Sequence, residues 1–269
     1  MNDNNEKVVP DVIKSTSEAI QTNIPETAKQ IDGVLSTVVG FFNDVVLSPL
    51  KYARAFFRYK LEAFADDLKK KTEDIPAENL QVPPVAIAGP ILEALRYAYD
   101  EEQLREMYEN LLASSMDTRK ITHTHPSFVY AISQMSSFDA RMIAEIADYI
   151  QLRCARITFE IKGTDNIYSN GMPKYFVAEL LKLGDPYDIS ASITNLQRLG
   201  LIDVEHDYLL NTNYDELACY PYVQNRKKEF DSRGLPTEIK LKEFVVSLND
   251  YGYQFVTACL RKGEPTHAD

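Results

Sequence analysis

Hydrophobic positions in the first third of the chain recur with the period of an α-helix. Over residues 31–46 the apolar side chains are spaced three, four and seven positions apart, which places them in a broad stripe on one helix face. A second stripe follows over residues 50–68. The pattern predicts an amphipathic helical arm that occupies residues 1–80, with polar side chains on its opposite face.

The most apolar window of the arm is too polar at its centre to span a membrane. It covers residues 33–50 and carries Asn43 and Asp44 near its middle. A spanning helix needs about 20 mostly apolar residues, and a central aspartate costs about 2.5–3.5 kcal/mol on insertion scales. We therefore exclude a constitutive transmembrane helix and expect the arm to lie against protein or against a bilayer surface.

The second stripe combines cations with aromatic and aliphatic side chains. Basic residues beside an apolar face suit an anionic membrane surface. They also suit a helix whose arginine stems cover the edge of a protein core. We favour packing against protein, with conditional membrane contact as the alternative. The residues expected to contact a partner or a membrane are Lys51, Arg54, Phe57, Arg58, Leu61 and Phe64.

The middle of the chain, residues 81–151, predicts a compact bundle of short helices. We expect Pro90 to open the first of them, because proline is favoured in a first helical turn. Asp100 is expected to cap the second helix, with a glutamine three positions later. Pro126 starts a third helix, and Ser136 caps a fourth.

From residue 152 to residue 262 strand and helix patterns alternate, which predicts a small α+β domain. The expected elements are a strand over 156–162, helices over 176–183 and 188–199, a hairpin around His206, a helical stretch over 214–230, a strand over 240–248 and a final helix through Leu260. Residues 263–269 are expected to form a disordered tail. The fold class is therefore mainly α, and α+β overall.

Two short motifs in this domain resemble parts of a winged helix. They are Leu-Gln-Arg-Leu-Gly-Leu-Ile at 196–202 and Leu-Asn-x-x-Gly-x-x-Phe at 248–255. The helix expected to read DNA, residues 188–198, carries Arg198 as its only cation, and acidic residues stand at its start. The net charge of −11 also disfavours contact with phosphates. We therefore predict a winged-helix-like module for protein contacts; a DNA-binding transcriptional regulator is the alternative.

The order of four central segments resembles the abortive infection alpha (Abi-alpha) family of bacterial proteins. These segments are Pro-Pro-Val-Ala-Ile-Ala-Gly-Pro-Ile-Leu-Glu-Ala (83–94), Glu-Glu-Gln-Leu-Arg-Glu-Met-Tyr-Glu-Asn-Leu-Leu-Ala-Ser-Ser-Met (101–116), His-Pro-Ser-Phe-Val (125–129) and Gln-Met-Ser (134–136). The resemblance covers residues 80–150 and extends more weakly toward the C-terminal end. It implies a role in abortive infection against phage. Because its motifs are caps, prolines and apolar positions, it implies no catalytic residues.

The reactive side chains are too dispersed to predict a catalytic or metal site. The three cysteines are far apart, so we expect neither a disulfide framework nor a zinc site, but small buried side chains in a reducing cytosol. No Asp or Glu follows His123 and His125 within a few residues, which favours loop histidines over metal ligands. We expect no cofactor.

The resemblance implies a bacterial phage-defence protein, and we expect it to be non-enzymatic and to act through a protein partner or self-association. The acidic, polar N-terminus lacks the pattern of a secretory signal, so we expect a cytoplasmic protein that is peripheral to the inner membrane when its arm meets an anionic surface. We hypothesise that the arm lies on its own bundle at rest and is released when infection is sensed.

Overall fold

The structure is a computed structural model that describes residues 54–163, 167–168, 171–207, 209, 212–234 and 236–260, with the isolated positions 33 and 36. The predictions for the arm before residue 54, apart from those two positions, and for the tail over 263–269 lie outside the described residues. The described residues form mainly helices with one small antiparallel sheet, which confirms the predicted fold class.

Helix α1, Arg54–Thr72, is the described part of the arm. Its last turn carries Lys69, Lys70 and Lys71, where cations interact favourably with the helix dipole. Phe64 and Leu68 on its apolar stripe are buried in the core. The stripe therefore packs against the rest of the protein at this end of the arm.

Helix α2, Val85–Ala98, begins earlier than the sequence predicts. Its N-cap is Pro84, and Pro90 lies inside the helix, so the prediction that Pro90 opens it is wrong. Proline removes one backbone donor and usually breaks a helix. Here a buried apolar stripe continues on both sides of Pro90, and its packing outweighs the local break. The stripe consists of Ile87, Ala88, Ile91, Leu92 and Leu95.

Helix α3, Glu102–Ser115, is the central helix of the bundle and is buried on almost all sides. It contacts α1 and α2, and also the helices named α4, α5 and α8 below. Its N-cap is Glu101 and not Asp100, so that prediction is wrong by one residue. The shift arises because the Glu101 N–H donates to Ala98 at the end of α2, while the Glu101 carboxylate accepts from Ser137.

Two short helices follow where the sequence predicts them, α4 at Ser127–Ser133 and α5 at Ser137–Ile146. The predicted cap at Ser136 is a full capping box with Asp139. The Asp139 carboxylate also accepts from Ser192 at 2.5 Å and from Asn195 at 3.1 Å, both in the later helix α6. One buried carboxylate thus joins the bundle to the α+β part.

The sheet contains β1 (Leu152–Ile161), β2 (Ile167–Tyr168), β3 (Ile202–Glu205) and β4 (Thr237–Leu248). The strands pair antiparallel in the order β2-β1-β4-β3. Both long predicted strands are confirmed. Strand β3 begins the predicted hairpin but pairs with β4, with Ile202 opposite Leu248. The other arm of that hairpin lies largely outside the described residues.

The remaining helices are α6 (Pro186–Arg198), α7 (Pro221–Ser232) and α8 (Asp250–Cys259). All three confirm predicted helices, and a 3₁₀ turn at Asp215–Cys219 precedes α7. The helix predicted over 176–183 is wrong, because only a 3₁₀ turn at Ala178–Leu180 forms. Phe176 exchanges two backbone hydrogen bonds with Ala155 of β1, which holds this part of the chain extended.

Two hydrophobic clusters cover opposite faces of the sheet. The larger runs from Phe64 through the bundle to Cys259 in α8 and includes residues on both sides of position 151. The smaller cluster lies between the other sheet face and the α7 region, and it includes Phe159, Phe176 and Val223. The domain boundaries that the sequence indicates at 80 and 151 stay predictions.

Candidate functional site at the N-terminal helix

The residues predicted to contact a partner or a membrane are distributed along α1 and before it. Lys51 lies outside the described residues. Four others lie in α1, where the structure describes their backbone but not their side chains: Arg54, Phe57, Arg58 and Leu61. Phe64 is 3% exposed and belongs to the larger cluster. Contact between Phe64 and any outside surface therefore requires α1 to leave the bundle.

A polar junction holds the end of α1 to α3 and α8. The Lys71 ammonium donates to the Asn110 side-chain oxygen at 2.8 Å, and the Asn110 amide donates to the Cys259 carbonyl at 2.9 Å. Ser114 donates to the Ala258 carbonyl at 2.9 Å. The last carbonyls of a helix lack partners inside it, so these side chains satisfy the end of α8. One amide side chain thus connects three helices.

Glu109 is the buried carboxylate of this junction, with its side chain 5% exposed. Lys71 lies 3.7 Å and Arg105 lies 3.5 Å from its two oxygens, and Oε1 has no hydrogen-bond partner in the described residues. Burial raises the pKa of Glu109 to about 7, and the two cations offset this only in part. The negative charges of Asp67 and Glu106 raise this pKa further.

A cavity of about 360 Å³ opens beside Glu109 between α1 and α3. Its lining is charged and consists of Asp67, Lys70, Lys71, Glu102, Arg105, Glu106 and Glu109. Water therefore reaches the edge of the junction, so Glu109 can exchange its proton while α1 is in place. The junction combines a carboxylate that titrates near neutral pH with ion pairs too long for strong hydrogen bonds.

Sequence reasoning missed Glu109 and Asn110. They lie between the buried positions Met107 and Leu111, so α3 is buried on nearly every side instead of along one stripe. The available signal was that a glutamate and an asparagine interrupt a run of helix-core positions. The partners of Asn110 lie in α1 and α8, 39 and 149 residues away, and no local pattern indicates such distant contacts.

The histidines and cysteines behave largely as structural side chains. Cys154 and Cys259 are buried as predicted, but Cys219 at the end of its 3₁₀ turn is exposed, so the prediction of three buried thiols is wrong. Burial raises the pKa of Cys154 to about 12, which keeps this thiol protonated and unreactive. Across the described ranges there is no group of three or more His, Cys, Asp and Glu side chains that could hold a metal ion.

His125 closes the start of α4 and connects it with α8. Its Nδ1 accepts from the Ser127 backbone N–H at 3.1 Å and lies 2.5 Å from the Ser127 hydroxyl. That hydroxyl also contacts the Tyr251 hydroxyl at the start of α8. His123 ends a separate 3₁₀ turn at Ile121–His123. Both histidines are thus accounted for by local structure.

A family model described as abortive infection alpha matches residues 57–259, which is most of the chain. No curated protein and no solved structure matches. The matched region begins within α1 and ends at Cys259, the last residue of α8. It therefore contains the whole polar junction. Within the described segments, no helix is both long enough and apolar enough to cross a membrane.

Proposed function

The chain belongs to the abortive infection alpha family, and on that premise we propose that it takes part in bacterial phage defence of the abortive-infection type without catalysing a reaction. It acts through protein–protein contacts, and α1 is the element whose attachment to the bundle is regulated. The observation that carries this proposal is the junction itself. A buried carboxylate with an unbonded oxygen holds α1 less firmly than an apolar contact of the same size would.

Release of α1 would turn an internal surface into an external one. In the attached position Phe64 and Leu68 are buried against α3 and its neighbours. After release they would join the apolar stripe that Arg54 and Arg58 flank in the sequence. A face with cations beside aromatic side chains binds anionic bilayers. We therefore place the protein in the cytoplasm, with conditional association at the inner membrane.

The region from α5 to β4 serves in this proposal as a winged-helix-like module for protein contacts. Its support is topological: β1 precedes α6, β3 follows it, and β4 lies between β1 and β3 in the sheet. Among the exposed side chains of α6 the one cation is Arg198 in its last turn, and its guanidinium is bonded to Asn195 and Gln134. A helix that reads DNA normally brings several cations and amides. Protein is therefore the favoured partner.

Charge reversal on α1 tests the membrane step in the full-length chain. We expect wild-type protein to bind vesicles that contain anionic lipid, and the double variant Arg54→Glu/Arg58→Glu to bind at least about tenfold more weakly, because each cation contributes about 1 kcal/mol near such a surface. Cosedimentation measures the binding. The same variant should lose protection in phage plating assays.

The matched control is Lys228→Glu/Arg233→Glu, which makes the same charge change on and beside the remote helix α7 at exposed positions. It should keep both vesicle binding and phage protection. Equal losses in the two variants would contradict a specific role for α1. A gel shift of the protein's own upstream DNA at low salt would instead support the transcriptional regulator.

A further inference from the structure

The sheet carries a pair of like charges with no carboxylate opposite it. Arg156 of β1 and Lys242 of β4 face each other directly across the antiparallel pair. Like charges at such positions repel and destabilise a sheet. Two residues before Lys242 on β4, Lys240 forms ion pairs with Glu160 and Glu238. By contrast, among the described residues neither Arg156 nor Lys242 has a carboxylate within 4.0 Å. An unbalanced pair is unexpected in a chain whose net charge is −11.

Aromatic rings hold these cations in place. The guanidinium carbon of Arg156 and the ammonium of Lys242 each lie 5.6 Å from the centre of the Phe244 ring, and His206 meets the same ring edge-on at 5.5 Å. Tyr175 also meets Phe244 edge-on, and the Lys174 ammonium lies 4.6 Å from the Tyr175 ring centre. Contact with a ring orients a cation but leaves its N–H donors unused.

This arrangement differs from that of the neighbouring cation on β1, Arg153. Arg153 lies three residues before Arg156, on the opposite face of the sheet, and is engaged by Glu179 at 2.6 Å and Glu216 at 3.1 Å. Its donors are therefore occupied within the protein. Because no described carboxylate lies within 4.0 Å of Arg156 or Lys242, an external anion would bind them without first displacing one.

The surroundings of the pair decide which kind of anion fits. A cavity of about 350 Å³ borders Lys242 and His206, and Asp207 and Glu243 also line it. Further along the sheet lie the carboxylates of Glu160 and Glu238. A long polyanion such as nucleic acid would meet these negative charges together with the cations. A short acidic peptide segment would place one or two carboxylates at the cations and avoid the rest.

We propose that Arg156, Lys242 and Lys174 form a docking surface for an acidic polypeptide segment of a partner protein. Arg156 accommodates a carboxylate through two parallel N–H donors, and the lysines bind neighbouring carboxylates of the same segment. The inference rests on the proposed function, since it names the class of partner for the protein contacts. The like-charge repulsion is relieved when the acidic segment binds.

The test is the binding of a fluorescein-labelled hexaglutamate peptide to the full-length protein at low ionic strength, measured by fluorescence anisotropy. We expect the wild type to bind and Arg156→Gln/Lys242→Gln to bind at least about tenfold more weakly, since two charge-assisted contacts are lost. The double variant should unfold at the same temperature as the wild type or a higher one, because it loses a repulsion.

The charge-matched control is Lys162→Gln/Lys228→Gln, at two exposed positions away from the Phe244 ring, and it should bind the peptide as the wild type does. Absence of binding by the wild type, or an equal loss in the control, would overturn the docking surface. Tighter binding of a thymidine oligonucleotide of equal charge, lost in Arg156→Gln/Lys242→Gln, would overturn it as well. The assay contains neither phage nor membrane, so its failure leaves the α1 proposal standing. A failure of the vesicle or phage experiments would likewise leave the docking surface standing.

Discussion

Replacing Gly252 with alanine is expected to destabilise the protein by more than about 3 kcal/mol, because the new methyl group has no space. A Cβ at this position would lie 1.9 Å from the carbonyl oxygen of Leu201 and 2.9 Å from its carbonyl carbon. Both are backbone atoms just before β3, so α8 as a whole would have to move. That movement would also lengthen the bond from the Asn249 N–H to the Leu201 carbonyl, which measures 3.4 Å. Urea unfolding followed by circular dichroism measures the loss.

Gly163→Ala is the matched control for this prediction. Gly163 has a φ of +79° but an added Cβ there would meet nothing within 4 Å. Its replacement therefore tests backbone strain alone, which is worth about 1–2 kcal/mol. If Gly252→Ala were no more destabilising than Gly163→Ala, the close contact between α8 and Leu201 would not limit stability.

Elements with local signals were predictable from the sequence. The capping box at Ser136, the end of α6 at Gly200 and the cap of α8 at Asn249 each depend on residues within a few positions of one another. The need for glycine at position 252 has no such local signal. It arises from Leu201, 51 positions earlier, whose carbonyl occupies the place of a side chain. The motif containing Gly252 was visible in the sequence, but its physical reason was not.

Two of the wrong predictions share one cause, which is that tertiary packing overrode a local preference. Pro90 is tolerated inside α2 because the helix buries apolar residues on both sides of it. The helical pattern over 176–183 is interrupted at its start, because Phe176 is held extended by its bonds to Ala155 of β1. In both cases the decisive partner lies outside the window that periodicity examines.

Each candidate site likewise depends on contacts that the sequence alone does not show. The burial of Phe64 in α1 follows from the apolar spacing, so it was accessible from the sequence. The raised pKa of Glu109 could not be predicted from the sequence, because it depends on burial by neighbouring helices. The pair of Arg156 and Lys242 depends on the register between β1 and β4, strands that are separated by most of the C-terminal half. Periodicity places each residue on a face but does not choose its cross-strand neighbour.

Glu109→Gln is expected to stabilise the attachment of α1 at pH 8 and to have much less effect at pH 5. The pKa of Glu109 is raised from its ordinary value of 4.5 to about 7 in the folded protein, mainly by burial. The folded state therefore binds a proton more tightly than the unfolded state does. The stability that this proton provides is complete below pH 4.5 and is lost as the pH rises to 7. A shift of this size corresponds to about 3 kcal/mol at most.

The measurement is the free energy of unfolding of wild type and variant at several pH values between 5 and 8. The difference between them should grow with pH, because glutamine stays neutral while the buried carboxylate becomes charged, and its Oε1 has no hydrogen-bond partner among the described residues. Hydrogen exchange in α1 should show where the gain lies. Glu106→Gln is the control, since Glu106 borders the same cavity with its side chain 63% exposed. A pH-independent difference for Glu109→Gln would mean that Glu109 is ionised throughout, and the junction would then act as an ordinary ion pair that does not respond to pH.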